Sequence, residues 1–225
     1  WRRSRVRAGD SGVRLALAKT QISVDEAIES LDSLSFAWRG DCLEFSILER
    51  LGTLYLDRGD QTAALRILRR ATTILPEAAR EANIPARMSH AFAALFVGAD
   101  AERRSPLEAI ALYDEFRELT PNGPLGDSVV AAVAERMIAL DLLGRAAALL
   151  DSQIRYRLVG EERARTAMRL AAIYLLDEKP EAALKALALT ATDPVPPALA
   201  PERRMIEARA LARLGRTDEA LARLA

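Results

Sequence analysis

Residues 48–76 read LERLGTLYLDRGDQTAALRILRRATTILP, and this stretch decides the fold. Leu48, Leu51, Leu54 and Tyr55 fall at i, i+3, i+6 and i+7, one stripe along a helix. Gly59-Asp60 breaks the pattern. Ala64, Leu65, Leu68, Ala71 and Leu75 then form a second stripe that ends at Pro76. Two amphipathic helices joined by a tight turn make an antiparallel helix hairpin. Gly52 lies inside the first helix, where glycine costs about 1 kcal/mol relative to alanine. That cost is offset if Gly52 and Ala64 sit where the two helices meet, because small residues there let the backbones approach closely.

The same residues resemble a tetratricopeptide repeat, a 34-residue helix hairpin with the pattern W-x2-L-G-x2-Y, then A-x3-F, then P. Here Leu48 stands for the Trp and Leu68 for the Phe, while Leu51, Gly52, Tyr55, Gly59, Ala64, Ala71 and Pro76 match at the right offsets. One such hairpin cannot bury its own apolar face, so further copies are expected. Leu170, Ala171, Tyr174, Ala183 and Leu187 form one, with Ala171 in place of the Gly. Ala208, Leu211, Gly215, Ala220 and Leu224 form another. Ala109, Tyr113, Phe116 and Pro121 mark a second helix, as do Ala27 and Leu31. Val130, Val133, Met137 and Leu140 open a degenerate pair. The small residues of the second helices fall at 27, 64, 109, about 147, 183 and 220, wider and less regular than 34 residues. Ankyrin repeats would need a hairpin-turn signature that is absent. Armadillo or HEAT repeats fit the spacing but not the Gly, Tyr, Ala, Pro order.

The resemblance implies an all-α fold, a right-handed α-solenoid (superhelix) of about six antiparallel hairpins with long turns. Residues 1–40 are expected to form a partial N-terminal repeat, and 41–225 a continuous array whose last repeat is truncated. The chain starts at Trp1 and stops within an apparent helix, so it reads as a piece of a longer protein. Helix starts are marked by Ser23…Glu26, Asp41…Glu44 and Ser105…Glu108, each a capping box, the last with Pro106 in the first helical position. Asp127 is a further candidate cap, and Pro180 and Pro201 mark first turns. Residues 98–104, 120–127 and 192–201 read as loops. No stretch alternates as a β-strand would.

Composition narrows the function. Lys plus Arg number 32, as do Asp plus Glu, so no global field gathers nucleic acid or anionic membrane. Nearly all the cations are arginine, with lysine only at Lys19, Lys179 and Lys185, which fits codon usage in a GC-rich genome. Local basic clusters stand at Arg2, Arg3, Arg5 and Arg7, and at Arg145, Arg155, Arg157, Arg163, Arg165 and Arg169. Cys42 is the single cysteine, which excludes an internal disulfide and a thiolate metal cluster and suits cytoplasm and periplasm equally. No apolar run approaches the roughly 20 residues of a membrane span, and no signal peptide is visible.

Catalytic raw material is scarce. His90 is the only histidine, and with Met88, Phe92, Leu95 and Phe96 as the buried stripe it points outward. There is no HExxH, GxSxG, Walker lysine loop or GxGxxG. The adjacent carboxylates Asp114-Glu115, Glu161-Glu162 and Asp177-Glu178 diverge by about 100° on a helix and do not converge on one substrate. No enzyme activity, cofactor or metal is expected.

The resemblance further implies that the first helix of each hairpin lines a concave groove that binds a peptide or partner helix. The groove-facing positions carry over to Glu49, Thr53 and Leu56. They fall next on Arg165, Met168, Ala172 and Leu175, then on Met205, Arg209 and Ala212. Phe92 and Ile138 are assigned to the same lining in the irregular middle. Apolar and cationic groups together suit an acidic, hydrophobic segment. Chaperone-binding members of the family grip a terminal carboxylate with Lys, Asn and Arg. Glu49 and Thr53 occupy the first two of those positions, so no chaperone-tail binding is expected. Trp38 is either a partner contact or a wedge between repeats. The expected function is a non-catalytic protein–protein scaffold or adaptor, with no nucleic acid partner and no membrane contact within these residues. Two alternatives stay open. The chain could recruit substrate for an enzyme, or for a secretion or envelope assembly, lying outside it. It could also form homo-oligomers through the solenoid ends.

Overall fold

The computed structural model describes residues 2–99 and 101–224. Trp1, Asp100 and Ala225 lie outside the described residues. So does the side chain of Arg2, and with it that arginine's part in the basic N-terminus. The described residues form thirteen α-helices and no strand. Contacts divide the chain into two compact units, residues 1–103 with 116–121, and residues 104–115 with 122–225.

The first unit holds α1 (Arg2–Ala18), α2 (Val24–Ala37), α3 (Cys42–Asp57), α4 (Gln61–Ile74), α5 (Pro76–Glu81) and α6 (Ile84–Val97). α1 packs on α2, α2 on α3, α3 on α4 and α4 on α6, so the chain runs as antiparallel hairpins laid side by side. Leu48, Leu51, Ala64, Leu65, Leu68 and Ala71 are all fully buried, as the two stripes require. Gly52 lies against Leu68. A Cβ built on Gly52 would come 2.6 Å from Leu68 Cγ and closer still to Cδ2, so the missing methyl is what admits the leucine. Val6, Ile28, Leu31, Leu43, Ile47 and Leu51 make one core, with Trp38 and Tyr55 packed on its edge. Trp38 is therefore a packing residue. Arg50 reaches from α3 to Asp10 of α1 at 2.8 Å, and both groups are largely buried.

The second unit holds α7 (Pro106–Phe116), whose last residue counts with the first unit. It continues with α8 (Pro124–Ala139), α9 (Leu143–Tyr156), α10 (Gly160–Leu176), α11 (Pro180–Ala188), α12 (Ala200–Arg213) and α13 (Thr217–Leu224). α8–α9, α10–α11 and α12–α13 are hairpins; α9 packs on α10, α11 on α12, and α10 on α12. α9, α10 and α11 thus each touch their hairpin partner and a helix of the next hairpin. Ala27, Ala64, Ala109, Ala147, Ala183 and Ala220 are buried in every case. The long step from Ala64 to Ala109 contains α5, a six-residue helix that Pro76 both forces, by ending α4, and begins at its first position.

Five hairpin turns share one geometry. A left-handed residue stands at Thr20, Gly59, Asp141, Glu178 and Gly215. The next N–H then reaches back five residues, as in Gln21 to the Ala16 carbonyl at 2.8 Å, Leu142 to Met137 at 2.8 Å and Lys179 to Tyr174 at 2.8 Å. Asp60 to Tyr55 and Arg216 to Leu211 complete the set. This is the Schellman closure, which satisfies carbonyls at a helix end.

The capping boxes at Ser23 and Ser105 are complete: each serine hydroxyl accepts from the third-residue N–H, and Glu26 or Glu108 accepts from the serine N–H. At Asp41 the carboxylate accepts from Leu43 and Glu44, but buried Glu44 reaches one residue further back and accepts from Gly40 at 2.5 Å. Asp127 is not a cap. α8 begins at Pro124, where proline's fixed φ starts the helix three residues earlier, and Asp127 lies in its first turn. Two residues of the expected stripes are exposed: Leu140, 40%, which follows the last helical residue of α8, and Leu224, 50%, on α13.

Arginine caps the helix ends of the second unit. Arg163 Nε donates to the Ile154 carbonyl at 2.9 Å, Arg203 to Leu187 at 2.7 Å, and Arg213 to Leu175. Arg163 also holds Asp193 at 2.6 Å. One planar guanidinium serves two acceptors here, which a lysine ammonium does not do in a fixed geometry.

Candidate functional site

The expected groove residues fall in both units. In the first, Glu49 and Thr53 lie one turn apart on α3. Arg87 of α6 donates to Glu49 Oε1 at 2.8 Å and to Thr53 Oγ1 at 2.5 Å. The Thr53 hydroxyl in turn donates to the Glu49 carbonyl at 2.8 Å. These groups tie α3 to α6, and their polar capacity is largely used within the chain. Leu56 is half-buried. Phe92 does not face a groove: it is 0% exposed and packs edge to face on Phe96, with ring centroids 5.0 Å apart. The same stripe leaves His90 exposed.

In the second unit the carried-over residues separate. Arg165, Met168 and Ala172 line one cavity of about 720 Å³, while Leu175 is buried and Ile138 half-buried outside that lining. Met205 and Arg209 are exposed on α12. The cavity lies between α8, α9, α10 and the start of α12. Val130, Ala131, Leu150, Leu158 and Met168 supply apolar walls, and Asp127, Glu162, Arg165, Arg169 and Glu202 supply charge. Its size is that of an ordinary ligand pocket.

The charges there are mostly matched within the chain. Asp127 pairs with Arg157 at 3.8 Å, Glu162 with Arg165 at 3.5 Å, and Arg169 with Glu135. Burial lowers the Arg169 guanidinium's pKa. Outside the cavity, Arg145 pairs with Asp114 at 2.9 Å and Arg155 with Asp151 at 2.6 Å. All six arginines of the basic cluster at 145–169 therefore carry a carboxylate partner. At the N-terminus Arg3 pairs with Asp41 at 3.1 Å.

Gln153 is the site residue that the sequence reading misses. It is only 6% exposed, lines the cavity, and its Oε1 has no hydrogen-bond partner. The available signal is periodicity: Gln153 stands three residues after Leu150, on the face carrying Ala146, Ala147 and Ile154. Among the described residues no three His, Cys, Asp or Glu side chains converge as a metal site, and no helix is long and apolar enough to cross a membrane.

No protein-family model matches the chain, and no curated protein matches it by sequence. By structure it is similar to a Podosopora anserina protein described as a kinesin light chain with nearly identical TPR-like repeats, and to a single-substitution variant of that protein. In each case identity is 18% over 98% of this chain and 92% of the other, with a TM-score of 0.38. What defines the hairpins is the chain's own packing: a buried alanine in each of six helices, at Ala27, Ala64, Ala109, Ala147, Ala183 and Ala220, and one closure repeated at five turns.

Proposed function

We propose that the chain is a non-catalytic interaction scaffold that binds a peptide segment of a partner protein, with the cavity of the second unit as its principal seat. One observation carries this reading. Arg165, Met168 and Ala172, which the tetratricopeptide resemblance assigns to a groove, line a single cavity of about 720 Å³ with apolar walls. Such a pocket, with few and fixed polar groups, suits recognition of a short segment. The scattered carboxylates and the exposed, solitary His90 offer no matching acid–base pair.

Selection of a phage-displayed random 12-residue peptide library on the purified chain tests the proposal. Peptides are expected to be retained, and Ala172→Trp, which fills the cavity from α10, is expected to abolish their binding while the helical circular dichroism is kept. No retained peptide, or equal binding by Ala172→Trp, refutes the proposal.

A further inference from the structure

Among the polar groups that line the cavity, Gln153 Oε1, the Thr166 hydroxyl and the exposed Glu202 have no partner among the described residues. Gln153 Oε1 is buried without a hydrogen bond, which is costly unless something supplies a donor. Glu202, in the first turn of α12, has no ion pair or hydrogen bond among the described residues. Every other charge on the lining is engaged. Asp127, Glu162, Arg165 and Arg169 hold Arg157, one another and Glu135. Neighbouring Arg203 is turned to the Leu187 carbonyl, to Thr190 and to Glu207. The unpaired charge of the cavity is thus negative, although the groove residues assigned from the sequence, apolar groups together with Arg165 and Arg209, suit an acidic segment.

We infer that the segment bound here is apolar and basic: an aliphatic or aromatic side chain enters between Val130, Leu150 and Met168, a backbone N–H of the segment donates to Gln153, and a flanking Lys or Arg meets Glu202. This rests on the peptide-binding reading above and reverses the charge of the partner implied by the sequence. Arginines already neutralised by carboxylates attract little further anion, whereas an unpaired carboxylate beside an apolar wall keeps its attraction for a cation.

The peptides retained by the library selection, and their affinities by fluorescence anisotropy, test the inference. The pool is expected to place Lys or Arg within a few positions of a large apolar residue. Glu202→Lys is expected to weaken such peptides by about tenfold or more. Gln153→Leu is expected to weaken them similarly, yet to raise the free protein's melting temperature by roughly 2–4 °C, because an unsatisfied buried acceptor is removed. A merely structural glutamine would lower it. Gln153→Met, closer in shape, serves if the leucine variant does not fold. An acid-rich pool overturns the inference. So does a basic pool unmoved by either substitution, and a pool moved by only one of them overturns the pairing of the two groups. These outcomes leave peptide binding standing, whereas failure to retain any peptide removes both.

Discussion

Replacing Gly52 separates the two forces that act on it. A methyl at Gly52 would improve helix propensity by about 1 kcal/mol. It would also sit 2.6 Å from Leu68 Cγ, well inside van der Waals contact, and Leu68 is fully buried. Overpacking of this kind costs typically 1–3 kcal/mol, so Gly52→Ala should destabilise the protein by up to about 2 kcal/mol net, and the bulkier Gly52→Leu by about 1–3 kcal/mol. Leu68→Ala alone leaves a cavity and costs about 2–5 kcal/mol. In that background the clash is gone, and Gly52→Ala should become stabilising by as much as about 1 kcal/mol. Urea unfolding of the four proteins, followed by circular dichroism, closes the cycle, and the coupling should be about 1–3 kcal/mol in magnitude. If Gly52→Ala raises the urea midpoint equally with Leu68 present and absent, the close approach of α3 and α4 is not what requires glycine.

The turns and caps give further predictions. Asp141 and Glu178 hold left-handed backbone with a Cβ, at φ 58° and 54°. Asp141→Gly and Glu178→Gly should each stabilise by about 0.5–1 kcal/mol, read as a higher unfolding midpoint, whereas Gly59→Ala at φ 84° should destabilise. At the capping boxes, the Ser23 N–H and hydroxyl hold the Glu26 carboxyl below its ordinary pKa, and the Ser105 hydroxyl and N–H do the same for Glu108. A carboxylate with a lowered folded pKa contributes stability that is full above its unfolded value, near 4.5, and is lost as pH falls through the folded one. Ser23→Ala with Ser105→Ala should therefore lower stability at neutral pH and flatten the acid limb below about pH 4.5. An unchanged acid limb would show that these carboxyls are not held by the caps.

The hairpin register is legible in the sequence because it is carried by residue size at fixed spacing. Ala27, Ala64, Ala109, Ala183 and Ala220 mark helix contacts whatever surrounds them. The turns are less so. Gly59 and Gly215 announce left-handed backbone, but Thr20, Asp141 and Glu178 adopt the same conformation with residues common everywhere on a helix surface. α1 hides for a different reason: its apolar contacts reduce to Val6, Val13 and Leu17 among arginines and small residues. α5 is too short for a period to show, and its presence shifts the register behind it. That shift is why Phe92 reads as groove lining when it belongs to the core. At the candidate site, Arg165, Met168 and Ala172, assigned to a groove from the sequence, line one cavity. The sequence does not show that the arginines are neutralised, because Glu135 and Asp193 lie 34 and 30 residues from the arginines they hold. Nor does it show that Gln153 is dry, because a lone glutamine on a helix usually faces water.

The arginine caps on carbonyl ends bear on the order in which the second unit comes apart. Arg213 and Arg203, both on α12, grip the ends of α10 and α11, and Arg163 on α10 grips the end of α9. Each later segment is latched onto an earlier one, like overlapping roof tiles nailed through the row beneath. Among the described residues α13 carries no such latch, but α12 cannot lift without exposing the carbonyls of two helices at once. Opening of α12 should therefore take α10 and α11 with it, in a larger step than a chain of independent hairpins would allow.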